Sequence, residues 1–244
     1  MNKLCVISMS GGLDSSTLAM KAIEDGYTIL PININYGQKN EVEQQAFNNI
    51  YEWFFKRNFP DEVLEPIDVD LTAVMKTSLE TWQKLRDNGT MAAQTDMEFY
   101  TPSRNLLFTT MAAVIGEVAA LATGQTELKI GLGIHKHTEY DRDYWDITPA
   151  FIEKLNEVFA LNDCMRVSMY APYAEETKDK IVEDTIRLHV PYKMTWTCYD
   201  PVIDQRDNGK VYKPCLKCEA CIERQTAGNK ADVPDINQYS TVID

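Results

Sequence analysis

Long hydrophobic runs are missing from this chain. Its longest apolar stretches fall far short of a membrane span, and the amino terminus shows no charged-then-apolar signal pattern. The expectation is a cytoplasmic protein with no membrane partner. Basic residues are also scarce: 24 Lys and Arg stand against 37 Asp and Glu, a net charge of −13. No dense basic run breaks that balance, and such a surface repels phosphate backbones. No nucleic-acid partner is expected, and a free small molecule is favoured. Internal repeats and low-complexity tracts are absent as well.

What remains suits one α/β domain, or one domain with a small appendage: 244 residues, 44% of them hydrophobic. Residues 4–10 (LCVISMS) are an apolar run closed by Gly-Gly, which predicts a buried strand ending in a turn. A helix over 15–24 follows, with Leu18, Ala19 and Ile23 on one face, then a strand over 27–35. A long helix over 41–57 and a strand over 63–69 complete the first half. Residues 105–122 read as an apolar helix, too polar at its ends to span a membrane. Strands over 128–133 and 167–170 alternate with helices over 147–160 and 175–189. Thr148-Pro149 supplies the cap and first position of the former helix. The rhythm predicts an open parallel five-stranded sheet with helices on both faces. Residues 70–100 read as an irregular excursion, a lid or a dimer contact, and the chain beyond 189 as loop-rich. Two parts are expected: an ATP-binding α/β domain over 1–190 and a zinc-binding segment over 191–244.

Ser10-Gly11-Gly12-Leu13-Asp14-Ser15-Ser16 stands beyond the carboxyl end of the first strand, where an open α/β sheet places its ligands. Two glycines let backbone amides approach an anion, Ser10, Ser15 and Ser16 add hydroxyls, and the following helix aims its positive end there. Neither GxxxxGK[ST] nor GxGxxG is present. A tight turn with a Ser/Asp helix cap is the plainer alternative. Asp14 inside a phosphate loop suggests a nucleotide assisted by Mg²⁺.

Cys198, Cys215, Cys218 and Cys221 follow the pattern C-x16-C-x2-C-x2-C. Thiols so close cannot easily pair with one another, but four thiolates suit a closed, structural Zn²⁺ site. The same spacing also serves a [4Fe–4S] cluster. Lys213, Lys217 and Arg224 are placed to soften the negative centre. Cys5 and Cys164 read as plain small apolar residues.

SGGxDS after an apolar first strand resembles the pyrophosphate loop of the N-type ATP pyrophosphatases, whose fold is adenine nucleotide alpha hydrolase-like. Further strings narrow the likeness: Tyr36-Gly37-Gln38, Arg104-Asn105-Leu106-Leu107-Phe108, Thr148-Pro149-Ala150-Phe151-Ile152, Thr195-Trp196-Thr197-Cys198-Tyr199 and the cysteine trio. In this order they resemble the 7-cyano-7-deazaguanine synthase family over most of the chain. The resemblance implies that 7-carboxy-7-deazaguanine is adenylated, attacked by ammonia to give the amide, and converted to the nitrile with a second ATP. It implies ATP with Mg²⁺, one structural Zn²⁺ and a homodimer. On these positions ATP would be bound by Ser8, Met9, Ser10, Gly11, Gly12, Leu13, Asp14, Ser15, Ser16, Thr17 and Leu18. Asp14, Ser15 and Arg104 would be catalytic, and Tyr36, Gln38, Arg104, Asn105, Tyr144 and Asp146 would meet the acceptor.

The chain also departs from that family. Leu216 and Ser103 stand where glycine is common, after the first cysteine of the trio and before Arg-Asn. The usual Gly-Tyr-Pro-Asp has its nearest counterpart in Tyr144-Trp145-Asp146, after an apparent insertion near 139–143. Asp146 therefore reads either as an acceptor for a guanine-type edge or as a cap for the helix at Thr148. Arg104 is read as a phosphate clamp, against a structural ion pair. His135 and His137 follow the fourth strand and read as loop histidines in a position of interest. An amide-forming relative that uses another amine stays open. A tRNA thiolase is disfavoured by the charge, and a zinc-ribbon interaction module has no use for an anion loop.

Overall fold

Residues 3–37, 41–87, 101–136, 144–206, 209–233 and 241–243 are described by the computed structural model of the protein. Alternation along the first strand sets the architecture. In β1 (Lys3–Ser8), Leu4 and Val6 point to one side while Cys5 and Ile7 point to the other, all four buried. Such a strand needs cover on both faces. β2 (Tyr27–Asn35), β3 (Ile67–Asp70), β4 (Glu127–Gly131) and β5 (Arg166–Tyr170) extend it into a five-stranded, wholly parallel sheet of order β3-β2-β1-β4-β5. The chain builds outward from β1 to β3 and then returns to start again at β4. A switch point thus lies between β1 and β4, where open α/β sheets open a crevice at their carboxyl ends.

One face is covered by α1 (Leu13–Glu24), by α2 (Glu41–Ile50) and by α7 (Lys178–Arg187); Leu18, Phe47, Ile50 and Ile181 pack there on Cys5, Ile7 and Ile29. α2 continues through a π-helical turn at Tyr51–Phe55 into α3 (Lys56–Asn58), so the expected helix over 41–57 is one helical run with a bulge. The other face is covered by α4 (Thr72–Asp87), α5 (Arg104–Ala122) and α6 (Pro149–Phe159), through Met75, Ala112, Phe151 and Leu155. Contrary to expectation, α5 does have the length and hydropathy of a membrane span. It lies instead along the sheet: a Cβ added at Gly116 would meet Val6 at 2.9 Å and Leu128 at 2.8 Å. Only a residue without a side chain lets the helix come that close.

Three expectations need correction. The excursion over 70–100 is helical in its first half, as α4, while residues 88–100, Met91 among them, lie outside the described residues. Asp70 starts this helix, accepting the Thr72 N–H at 2.8 Å. Its apolar stripe is thin, because Leu71, Met75 and Leu79 meet the core while Val74 faces solvent. The carboxyl-terminal part is also more ordered than a loop. β6 (Val202–Arg206), β7 (Gly209–Lys213) and β8 (Thr241–Ile243) form an antiparallel sheet of order β6-β7-β8, and α8 (Glu219–Lys230) follows the cysteine trio. These strands are short and mixed in polarity, so alternation gives them no clear signature. β3 is shorter than expected as well: Val63 makes only an isolated bridge to Ile29.

Ser103 and Leu216, the two positions where the resembled family favours glycine, both hold a left-handed backbone, at φ 55° and 60°. That conformation costs an L-residue about 1–2 kcal/mol, and glycine's extra unfolded-state freedom offsets about 0.4–1 of it. Both side chains are exposed, so little packing is lost on truncation. Ser103→Gly and Leu216→Gly should each stabilise the protein by about 0.5–1 kcal/mol. The readout is a raised urea midpoint at unchanged slope; a lowered midpoint in both variants would contradict the strain.

Candidate active site and metal centre

At the end of β1 the chain stays pinned to its neighbour, with the Met9 N–H on the Ile32 carbonyl at 2.8 Å and Asn33 Nδ2 on the Met9 carbonyl at 3.0 Å. It then turns sharply. Gly11 sits at φ 74°, and a Cβ there would lie 2.3 Å from the Phe47 nitrogen and 2.6 Å from the Ala46 carbonyl carbon of α2. Backbone cannot yield to such a contact, so this position requires glycine. Within the loop the bonds are long: Ser10 N–H to Ser15 Oγ and Gly12 N–H to Ser10 Oγ are both 3.3 Å. The Gly12 cap gives α1 no side-chain hydrogen bond. Donors of the first turn therefore face outward with little internal competition, the arrangement that suits an anion.

The loop forms one wall of a cavity of about 210 Å³ at the carboxyl ends of β1, β2 and β4. Ser8, Met9, Ser10, Gly12, Leu13, Asp14 and Ser15 line it, as do Tyr36, Arg104 and Asn105 across from them. Gly11, Ser16, Thr17 and Leu18 stand behind that wall. Thr17 Oγ1 bonds the Leu13 carbonyl at 2.8 Å and Thr185 Oγ1 at 2.7 Å, and Leu18 belongs to the core. Gln38 and His137 lie outside the described residues.

Asp14 is the charged centre of the loop. Its Oδ1 is paired with Lys178 Nζ, and its Oδ2 lies 3.7 Å from His135 Nε2, which is itself 3.9 Å from Glu223 Oε2. Burial resists ionisation of Asp14, but Lys178 and then His135 outweigh it and hold the carboxyl below its ordinary range. Lys178, the first residue of α7, is buried. Nothing local in the sequence signals its role, since the pairing spans 164 residues.

On the opposite wall Arg104 Nη1 donates to the Tyr36 hydroxyl at 3.5 Å; burial opposes its charge, but Tyr36, Tyr199 and Glu43 outweigh that cost and raise its pKa. Glu43, unremarked in the sequence, also lines the cavity, and burial pushes its carboxyl up to about 7 against the pull of Arg104. Asp146 is buried and does not line the cavity: its Oδ2 accepts the Asn105 N–H at 3.2 Å, and Asn105 Nδ2 donates to the Asp146 carbonyl at 3.3 Å. It thus caps α5, the helix that begins with Arg104. The helix at Thr148 is capped by Thr148 itself, whose Oγ1 accepts the Phe151 N–H at 3.2 Å. Tyr144 packs against the core.

The carboxyl-terminal part closes the cavity with Trp196, Thr197 and Tyr199, and the Trp196 N–H bonds the Gly11 carbonyl at 2.9 Å. Immediately behind, the sulfurs of Cys198, Cys215, Cys218 and Cys221 all lie within 4.8 Å of one another. Four thiolates at 2.3 Å from one tetrahedral ion stand about 3.8 Å apart, so the spacing fits one ion. Backbone amides already serve the sulfurs, Cys215 N–H to Cys198 at 3.2 Å and Cys218 N–H to Cys215 at 3.3 Å. Cys218 caps α8, where the helix dipole favours thiolate. The three cations expected to soften this centre do other work. Lys213 and Lys217 reach Asp204 and Asp200 at the surface, each at 3.6 Å. Arg224, wholly buried, binds the Tyr192 carbonyl at 2.6 Å, the Thr195 carbonyl at 3.2 Å and Thr197 Oγ1 at 2.7 Å.

The family model described as Queuosine biosynthesis protein QueC matches residues 4–232. A 7-cyano-7-deazaguanine synthase from Picrophilus torridus is 29% identical over 224 residues, 90% of this chain and 84% of that protein. Another, from Hahella chejuensis, is 29% identical over 242 residues, 97% of this chain and 93% of that protein. Among solved structures, a 4-thiouridine synthetase–RNA complex with bound ATP is 15% identical at a TM-score of 0.47, covering 99% of this chain and 55% of that one. A likeness that loose does not bear on function.

The cysteine segment is hydrogen-bonded to the loop through Trp196 and approaches it through Glu223 and His135, so loss of an ion held by the cysteines should be felt at the loop. Elemental analysis is expected to give one ion per chain, and Cys218→Ser to lose it. Amide hydrogen exchange at residues 8–15 should then quicken together with exchange in α8. Faster exchange confined to α8 would mean that the two sites are independent.

Proposed function

Because this chain belongs to the queuosine biosynthesis protein QueC family, we propose that it is the ATP-dependent ligase that converts 7-carboxy-7-deazaguanine and ammonia to 7-cyano-7-deazaguanine. The observation that carries this reading is the single cavity holding an anion-ready loop on one wall and Arg104, Tyr36 and Asn105 on the other. ATP lies with its outer phosphates on Ser10, Gly12 and Ser15 and on the amides opening α1, while the carboxylate acceptor lies toward Arg104. An acceptor oxygen attacks the α-phosphate, and diphosphate departs into donors already aligned for it. Ammonia displaces AMP to form the amide. A second ATP turns the amide oxygen into a leaving group, and AMP departs to leave the nitrile.

Each residue then has a physical task. Ser15 donates to phosphate, and Asp14 fixes the loop through Lys178 and His135. Both Asp14 oxygens face Lys178 and His135, so Mg²⁺ would be held by the ATP phosphates rather than by Asp14, and would neutralise phosphate charge. Arg104 clamps a phosphate or the acceptor carboxylate, and Asp146 acts by capping the helix that carries it. The four cysteines hold Zn²⁺, a structural role suited to an all-thiolate set with no open position. The parts 1–190 and 191–244 divide the labour: the first presents the phosphates' loop, and the second closes the cavity with Trp196, Thr197 and Tyr199. Exposed Val114, Val118 and Leu121 form an apolar row on α5 that supports a homodimer, and a cytoplasmic setting is consistent with reduced cysteines.

With the carboxylate, ammonia and ATP, the protein should release two AMP and two diphosphate per nitrile, counted by chromatography and mass spectrometry. Asp14→Ala and Ser15→Ala should each lower diphosphate release by about 100-fold or more, the scale of losing a preorganised donor, with circular dichroism unchanged. One AMP per turnover with the amide as final product would overturn the nitrile assignment. Undiminished release in both variants would remove the loop from the chemistry.

A further inference from the structure

Converting an amine into an amide and then into a nitrile is a matter of shedding protons from nitrogen, and the phosphate loop has no evident group for that. Asp14 is ionised but held by Lys178 and His135. The remaining carboxylate in the cavity lining is Glu43, in the first turn of α2. Its position follows from the tightest contact in the loop. Gly11 touches α2 at Ala46 and Phe47, and residue 43 shares a helical face with both, one turn toward the amino terminus. Glu43 thus stands one turn beyond the phosphate loop, on the side of Arg104, whose charge favours its ionised form, and of the Tyr36 hydroxyl. Farther round the cavity are Asp14 from α1 and Tyr199, next to Cys198. Glu43 makes no hydrogen bond or ion pair among the described residues, so its oxygens remain available to a bound molecule.

We propose that Glu43 is the proton acceptor for both nitrogen steps, a role that rests on the ligase reading above. In the first step the C–N bond forms, the C–O bond to AMP breaks with its electron pair leaving on AMP, and one N–H proton passes to Glu43. In the second, the O-adenylated amide gives up its two N–H protons in turn. The electrons of the last N–H bond become the third C–N bond as AMP departs, and Glu43 passes each proton on to solvent. Burial supports the assignment, since it raises the carboxyl to about 7 and makes it a better base than an exposed glutamate. Because the folded pKa is raised, the carboxyl is a competent base only above about pH 7.

Two assays separate this role from its rivals. ATP–diphosphate exchange with the carboxylate and no ammonia reports adenylation alone. Product formation with ammonia reports the nitrogen steps. Glu43→Gln should keep exchange within a few-fold of wild type and lose amide and nitrile formation by about 100-fold or more, with Glu43→Asp recovering part of it. Rates expressed per free NH₃ should fall in the wild type as pH drops below about 7, and this limb should vanish in Glu43→Gln. If Glu43→Gln instead raises the KM for the carboxylate and leaves kcat unchanged, Glu43 reads the ring edge and the proposal fails. A pH limb that persists unchanged in Glu43→Gln likewise overturns it. No exchange in the wild type would overturn the ligase reading and this role with it.

Discussion

The contact that the rest of the site depends on is the one at Gly11, where the turn after β1 is pressed between α2 and the carboxyl-terminal part. On one side the backbone of Ala46 and Phe47 leaves no room for a Cβ. On the other, the Gly11 carbonyl receives the Trp196 N–H. The two contacts fix the direction in which the Gly12, Leu13 and Asp14 amides leave the sheet, and hence where α1 points its positive end. α2 then brings Glu43 alongside, and Trp196 brings Thr197 and Tyr199. One immobile turn thus sets the relative positions of the loop, the candidate base and the far wall. Preorganised dipoles act on phosphate only if they need not reorient, so a rigid turn is of more use here than a mobile one.

Much of this was legible in the sequence, for identifiable reasons. The five strands were readable because buried parallel strands are continuous apolar runs, and SGGLDSS because glycines and hydroxyls cluster at a strand's end. The four cysteines were readable from spacing alone, and the structure brings their sulfurs together. α4 was not readable, because a helix with one thin apolar stripe resembles polar coil. Nor were Lys178, Glu223 and Arg224, whose meaning depends on partners far away in the chain. Asp146 shows a different limit: the sequence placed it near the site, but only the Asn105 hydrogen bonds reveal that it caps α5.

The chain between 191 and 233 is separable in sequence but not in packing. Cys198, Cys218 and Cys221 share a buried cluster with Val42 and Ala46 of α2, the helix that also contacts Gly11. Arg224 places its donors on two carbonyls and a hydroxyl around Thr195, so a buried charge is compensated and the chain leading to Cys198 is held in place. A small segment with few apolar residues gains from a metal what it cannot gain from a core. Thr197 joins this segment to the cavity, since it both receives Arg224 and lines the site.

The electrostatics resolve an apparent conflict between a net charge of −13 and the binding of ATP. Among the described lining residues the cation is Arg104, set against Asp14 and Glu43. Lys178 and His135 lie behind Asp14 and are largely spent on it. Among these residues there is therefore no excess of basic side chains to attract a polyphosphate. The amide dipoles at the start of α1 and the loop hydroxyls are what the wall offers an anion instead. Dipoles act strongly at contact and weakly at a distance, so such a site discriminates by fit and not by long-range pull.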